Sequence, residues 1–156
     1  NYKRSGRPGD MEHSSTVRHI DLKNANLFPF GFGLSYTTYK YDAPKCAPTF
    51  DSKGNLKVKV RVTNTGDVDG EEIVQLYVAD KVASMVRPVK ELKAFKKVFI
   101  AKKQSVEVEL DVNAKDLGFY TNDMKYVVEP GEFTIMTGPN SEDLQTCSVR
   151  LNKAIE

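Results

Sequence analysis

The chain has 156 residues, of which 40% are hydrophobic and 28% are charged, a composition that supports a folded core and excludes a disordered or collagen-like chain. Its length fits one ordinary domain with a tail and leaves no room for a large catalytic barrel. Because 23 Lys and Arg residues nearly balance 21 Asp and Glu residues, we expect no nucleic-acid partner and no anionic-membrane partner.

The first 36 residues have the character of an irregular leader. Residues 1–26 are polar and show no apolar period of a helix or a strand, and no charged-then-apolar signal segment opens them. Residues 27–36 then place Phe28, Phe30 and Phe32 among Pro and Gly. Pro and Gly exclude a helix, and the segment is too apolar for an exposed loop, so we expect it to lie against another protein surface.

From Thr37 onward the apolar period becomes two, which predicts strands. The first strand is interrupted, over residues 37–50, and Pro44 and Pro48 mark it as an edge. Six further strands are predicted, over residues 56–63, 72–80, 91–100, 104–112, 132–137 and 146–151. Residues 113–119 are predicted to form a short turn before an extended piece at 125–128. This pattern indicates a seven-stranded antiparallel β-sandwich over residues 37–156.

The third predicted strand is apolar on both faces. Its alternate residues from Val74 to Val78 would fill the core. The opposite, outer face would carry Ile73, Gln75, Tyr77 and, from the sixth strand, Met136. A surface of this kind needs a cover.

The ionisable residues favour structural roles. A basic row on the second strand should face an acidic row on the fifth, giving cross-strand ion pairs of roughly 0.2–1 kcal/mol each. These rows are Lys57, Lys59 and Arg61, and Glu107, Glu109 and Asp111. A turn with Asp67, Asp69, Glu71 and Glu72 lacks the spacing of a calcium loop, and His13 and His19 have no further ligand at metal spacing. We expect no metal and no cofactor.

Several motifs stand in an order that resembles one family. After the aromatic leader come Val62-Thr63-Asn64-Thr65-Gly66 with Gly70, Val74-Gln75-Leu76-Tyr77-Val78, residues 87–95, and Glu129-Pro130-Gly131-Glu132-Phe133. Together they resemble the C-terminal domain of glycoside hydrolase family 3 enzymes, the β-glucosidases and their relatives. Tyr2 with Gly6-Arg7-Pro8 resembles the end of the domain that precedes it, so the resemblance covers nearly the whole chain.

The resemblance implies a fibronectin type III-like (immunoglobulin-like) sandwich appended to the catalytic domains of a secreted or periplasmic, exo-acting enzyme. In that family the nucleophile is an Asp, commonly next to a Trp, and the acid/base is a Glu, both in the preceding domains. This chain has no Trp, and retaining hydrolysis needs two carboxyl groups about 5–5.5 Å apart. We therefore expect a non-catalytic domain that supports or orients catalytic domains acting on terminal β-D-glucosyl residues, or on xylosides.

Two interpretations of the surface follow. The apolar outer face, with Phe28, Phe30 and Phe32, is expected to dock on the catalytic domains of the same polypeptide, while the leader over residues 1–36 folds across part of it. The alternative is an independent carbohydrate-binding module. The lack of Trp weakens that alternative, but an oligosaccharide could still stack on Tyr39, Tyr41, Tyr77, Tyr120 and Tyr126.

The two cysteines fall at inward positions of the first and last predicted strands. In an export compartment Cys46 and Cys147 could form a disulfide, and otherwise they would pack as free thiols. Both possibilities stay open, because these strands need not bring the two Cα atoms within about 7 Å.

Overall fold

A computed structural model of the chain describes residues 27–50, 54–81 and 88–152. Within these ranges the chain forms eleven strands and one 3₁₀ turn, Ala114–Leu117. The strands are β1 Tyr39–Tyr41, β2 Lys45–Cys46, β3 Thr49–Phe50, β4 Asn55–Asn64, β5 Gly70–Asp80, β6 Glu91–Ile100, β7 Ser105–Asn113, β8 Phe119–Tyr120, β9 Tyr126–Val127, β10 Gly131–Gly138 and β11 Gln145–Leu151. The predictions made for residues 1–26, including His13 and His19, lie outside the described residues.

Two sheets pack face to face, so the predicted β-sandwich is confirmed. In the first sheet β4 pairs with β7 along one edge and with β1 and β2 along the other. The second sheet has the order β3-β11-β10-β5-β6. The second to seventh predicted strands correspond to β4, β5, β6, β7, β10 and β11. A strand with one buried face, such as β4, has an apolar residue at every second position, and β5, which is buried on both faces, has a short continuous apolar run.

The first predicted strand differs from the structure. It consists of three short pieces, of which β1 and β2 pair with β4 while β3 crosses to the second sheet. There β3 pairs with β11 in parallel, the exception to the predicted antiparallel arrangement. Pro44 and Pro48 separate the pieces, and since proline cannot donate a backbone hydrogen bond, pairing stops at each one.

A small hairpin of β8 and β9 was not predicted either. Phe119 and Tyr120 form β8, whereas the sequence indicates a turn up to Phe119. Strands of two residues are too short to show a repeating pattern, so their pairing follows from the surrounding turns instead.

The core lies between the two sheets. The buried face of β4 carries Leu56, Val58, Val60 and Val62, and from Asn55 to Val62 the strand alternates between exposed and buried positions. Opposite it, every residue of β5 from Val74 to Val78 is buried, so this strand is covered on both faces as predicted.

Asn64, at the end of β4, is a polar residue buried inside this apolar frame. Its Oδ1 atom accepts hydrogen bonds from Thr37 Oγ1 (2.5 Å) and from the Gly66 backbone N–H (3.1 Å). Its Nδ2 group donates to the carbonyl oxygens of Val68 (2.8 Å) and Ile100 (3.0 Å). One side chain thus joins the start of the sandwich, the β4–β5 turn and the end of β6.

Candidate docking surface

Gln75 fastens the leader to the outer face of the second sheet. Its side chain is 5% exposed, and its Nε2 group donates to the carbonyl oxygens of Gly31 in the leader (3.2 Å) and Pro139 after β10 (2.5 Å). Its Oε1 atom accepts a hydrogen bond from the Tyr77 hydroxyl (2.5 Å). A second link runs from the Ser141 N–H to the carbonyl oxygen of Phe30 (2.8 Å). The leader is therefore attached through its backbone.

Gly31 permits this attachment. Its φ is +80°, a conformation that side chains disfavour, and a Cβ atom at this position would overlap the Gln75 amide. The turn around it is closed by a hydrogen bond from the Phe32 N–H to the Pro29 carbonyl oxygen (3.0 Å). Glycine is thus required both by the turn and by the close approach to β5.

The aromatic rings of the leader are exposed to solvent, although the leader backbone is hydrogen-bonded to the sandwich. Phe28, Phe30 and Phe32 are between 44% and 66% exposed. The rings of Phe28 and Phe32 pack on each other with centroids 5.3 Å apart. The leader therefore presents a group of apolar rings away from the sandwich.

The exposed apolar surface continues across β5 and β6. Phe95 pairs with Gln75 and Phe99 with Glu71, which places both rings on the same outer face as Ile73. Ile73, Phe95 and Phe99 are 47%, 68% and 59% exposed. Gln75 joins the two halves, since it is bonded to the leader and is the cross-strand neighbour of Phe95. We call the set Phe28, Phe30, Phe32, Ile73, Phe95 and Phe99 the docking surface.

Sequence reasoning missed Phe95 and Phe99. The signal was their spacing of four on a predicted strand, which puts both on one face. Two consecutive lysines between them, Lys96 and Lys97, obscure the alternation in the sequence. Lys97 stands between the two rings and forms an ion pair with Glu71 (2.5 Å).

Three of the seven predicted interface residues are buried within the chain itself. Gln75, Tyr77 and Met136 are 9% exposed or less, and Met136 pairs with Tyr77 on the shared face, as expected. The leader contacts Gln75, so it covers part of the outer face. The other four predicted residues, Phe28, Phe30, Phe32 and Ile73, remain accessible.

The five tyrosines of the carbohydrate-binding alternative are spread over the molecule. Tyr77 is buried, and Tyr39 and Tyr41 are half-buried against the core. Tyr120 and Tyr126 are exposed on the β8–β9 hairpin, with ring centroids 5.1 Å apart and planes at 63°. The two rings pack edge to face on each other and do not form a flat platform.

The predicted charge ladder is confirmed. The register pairs Lys57 with Asp111, Lys59 with Glu109 and Arg61 with Glu107. The Glu109 carboxylate lies 2.5 Å from Lys57 Nζ and 3.5 Å from Lys59 Nζ. The hydrogen bond from Lys57 lowers the pKa of Glu109. All these groups are open to solvent, so the ladder contributes solubility and register more than stability.

The acidic turn satisfies its carboxylates within the chain. The partners of Asp67, Asp69, Glu71 and Glu72 are, in order, the Lys103 ammonium, the Lys102 backbone N–H, the Lys97 ammonium and the Tyr41 hydroxyl. Among residues 27–50, 54–81 and 88–152, no group of three or more His, Cys, Asp or Glu side chains is arranged to hold a metal ion. In the same ranges no helix has the length and apolar character needed to cross a membrane.

Glu72 makes stability depend on pH. Burial raises the pKa of its carboxyl, and the hydrogen bond from Tyr41 (2.7 Å) offsets this only in part. Stability from a group with a raised pKa is fully present below its unfolded value and is lost as the pH rises through the folded value. We expect Glu72→Gln to be more stable than the native chain at neutral pH, by less than about 1 kcal/mol, because it keeps an acceptor for Tyr41 without the charge.

This advantage should disappear as the pH falls to about 4, where the native carboxyl is protonated. Urea denaturation of both chains across this pH range measures it. A difference between the two chains that is the same at every pH would contradict the assignment.

Known proteins share this architecture. The fibronectin type III-like domain family matches residues 72–141. A β-xylosidase of Formosa agariphila is 47% identical over 126 residues, covering 79% of this chain and 17% of the relative. A periplasmic β-glucosidase of Salmonella typhimurium is 38% identical over 150 residues, covering 94% of this chain and 20% of the relative. The solved structure of a β-glucosidase from Listeria innocua superposes with a TM-score of 0.84 at 31% identity, covering 98% of this chain and 22% of that one.

The sandwich and these matches define a fibronectin type III-like domain. The chain spans about a fifth of the length of the curated relatives that it matches. It is the fibronectin type III-like domain found in family 3 glycoside hydrolases, and the relatives that carry it are β-glucosidases and β-xylosidases.

Proposed function

We propose that this chain is the non-catalytic C-terminal accessory domain of its parent enzyme, and that it stabilises or orients the catalytic domains by packing the docking surface against them. The carrying observation is that the leader backbone is fixed by Gln75 while its phenylalanine rings stay exposed. Exposed apolar side chains grouped in this way, around the ion pair of Lys97 and Glu71, mark a protein interface. The occupant is the rest of the parent polypeptide, because the matched relatives are about five times longer than the chain.

In this proposal residues 1–36 form the leader from the preceding catalytic domain, and residues 37–156 form the accessory domain. The parent hydrolyses terminal β-D-glucosyl residues by a retaining mechanism, with both catalytic carboxyl groups outside this chain. Glu109 in the ladder and Glu71 and Glu72 in the turn bind a lysine or a tyrosine hydroxyl of the same chain, which supports a non-catalytic role. The β-xylosidase relative makes xylosides the second substrate class, and the periplasmic relative supports an exported enzyme.

The test substitutes Phe28, Phe95 and Phe99 by Ser together, in the full-length parent and in the 156-residue chain. The parent should lose at least about 3 °C in Tm, since each ring would be buried only in the parent. The isolated chain should change by less than about 1 °C, because the rings are exposed in it. Activity on an aryl β-glucoside, measured well below Tm, separates orientation of the catalytic domains from stabilisation.

Tyr120→Ser serves as the matched control, because it removes an exposed aromatic ring outside the docking surface. We expect it to leave both proteins unchanged. If the triple variant alters neither Tm nor turnover of the parent, the docking proposal is wrong.

The carbohydrate-binding alternative depends on the exposed pair Tyr120 and Tyr126. Titration of the 156-residue chain with soluble β-glucans separates it from docking. Saturable binding at millimolar or lower concentration that is abolished in the double variant Tyr120→Ala/Tyr126→Ala would favour the module. If glucan binding does not saturate, the result favours the docking proposal over the carbohydrate-binding module.

A further inference from the structure

Cys46 and Cys147 face each other between the two sheets. Cys46 lies on β2, opposite Val58 of the first sheet, and Cys147 lies on β11, opposite Ile135 of the second. Both are free thiols, half-buried against the core, and their Sγ atoms are 2.7 Å apart. A disulfide bond is about 2.05 Å long, so the two sulfurs need to approach by less than about 1 Å to bond.

We propose that Cys46 and Cys147 form a reversible disulfide that links the first sheet to the second. The two cysteines are 101 positions apart in the chain, so the bond closes a long loop and removes much of the conformational freedom of the unfolded chain. The disulfide would reinforce a part of the first sheet that has few strand hydrogen bonds, because β2 has two residues and pairs only with β4 among the described strands. It would hold the segment between β1 and β3, through which the chain crosses from the first sheet to the second.

The oxidant is a low-molecular-weight disulfide or an exported dithiol oxidase. One protein thiolate attacks a sulfur of the oxidant and releases one reduced thiol, and the second protein thiolate then displaces the other. The protein loses two protons and two electrons, and the oxidant takes them up to become two thiols. Burial, followed by the neighbouring Cys46 sulfhydryl, raises the pKa of Cys147 to about 12. The thiolate fraction of Cys147 at neutral pH is therefore small, which slows its exchange with the oxidant.

The test incubates the native 156-residue chain with oxidised or reduced glutathione and follows three quantities. After oxidation we expect a mass lower by about 2 Da, no thiol titratable in denaturant, and a Tm higher by on the order of 10 °C, reversed by reductant. Cys46→Ser and Cys147→Ser are the matched controls, and they should gain no such Tm shift. The native chain with and without reductant suffices if either variant fails to fold.

Two titratable thiols after oxidation, or an oxidised chain with the Tm of the reduced one, would overturn the proposal. An oxidised mass of one glutathione per chain would do the same, because it shows that the second cysteine cannot reach the first. All three readouts use the isolated chain, so they are independent of whether the docking surface binds the catalytic domains.

Discussion

Replacing Asn64 by Leu is expected to lower the free energy of unfolding by about 2–4 kcal/mol. Leu keeps the branched shape and the number of heavy atoms of the Asn side chain but offers no hydrogen bond. Four groups would therefore lose their Asn64 partner, and two of them, the Thr37 hydroxyl and the Ile100 carbonyl, lie in buried residues. The four groups are the Thr37 hydroxyl, the Gly66 N–H and the carbonyl oxygens of Val68 and Ile100. Loss of such a buried network is one of the few single changes with an effect of this size.

Urea denaturation of the two chains measures this effect. Asn55→Leu is the matched control, because Asn55 starts the same strand with an exposed side chain whose bond to Asn113 (3.0 Å) is open to solvent. We expect the control to change stability by less than about 0.5 kcal/mol. Equal losses in the two variants would show that leucine in β4 is harmful in itself and that the Asn64 network contributes little.

The second large effect is expected for Gln75→Leu. This substitution removes both donors to the leader and to Pro139 and leaves the Tyr77 hydroxyl without its acceptor in a buried site. We expect the free energy of unfolding to fall by about 2–3 kcal/mol. The leader should also detach more readily, because the bond from the Ser141 N–H to the Phe30 carbonyl oxygen remains but the bond to the Gln75 amide is lost.

Chymotrypsin detects leader release, since it cleaves after aromatic residues that are not followed by proline, and the leader carries Phe30 and Phe32. Cleavage within residues 27–36 should be at least about ten times faster in Gln75→Leu than in Gln145→Leu, whose substituted side chain is exposed on β11. Gly31→Ala disrupts the same contact from the leader side and should also speed cleavage. Alanine disfavours the positive φ at this position, and its Cβ atom would displace the Gln75 amide. An unchanged cleavage rate in both Gln75→Leu and Gly31→Ala would show that other contacts hold the leader.

These two residues also explain part of the sequence resemblance. Asn64 belongs to the motif Val62-Thr63-Asn64-Thr65-Gly66, and Gln75 belongs to Val74-Gln75-Leu76-Tyr77-Val78. Each motif places one polar side chain among buried apolar neighbours, where it bonds backbone groups distant in the chain. Each motif therefore supplies hydrogen bonds that hold distant parts of the chain together. Gln75 in addition positions the leader, which carries three residues of the docking surface.

Much of the candidate surface could be predicted from sequence. Phe28, Phe30 and Phe32 stand in a segment too apolar for an open loop, and the doubly apolar β5 indicates that its outer face is covered. The position of Phe95 and Phe99 could not be predicted in the same way. It depends on which strand pairs with β5 and in which register, and this pairing is a long-range property.

By itself the sequence determined the sandwich, the positions of β4 to β7, β10 and β11, and the opposition of the two charge rows. It did so because a strand that buries one face has an apolar residue at every second position, which is a local pattern. Only the tertiary structure decided that β3 pairs in parallel with β11, that Gln75 holds the leader with its rings outward, and that Cys46 lies 2.7 Å from Cys147. Each of these contacts joins residues far apart in sequence. Its geometry is set by how the two sheets pack, and no local pattern records that packing.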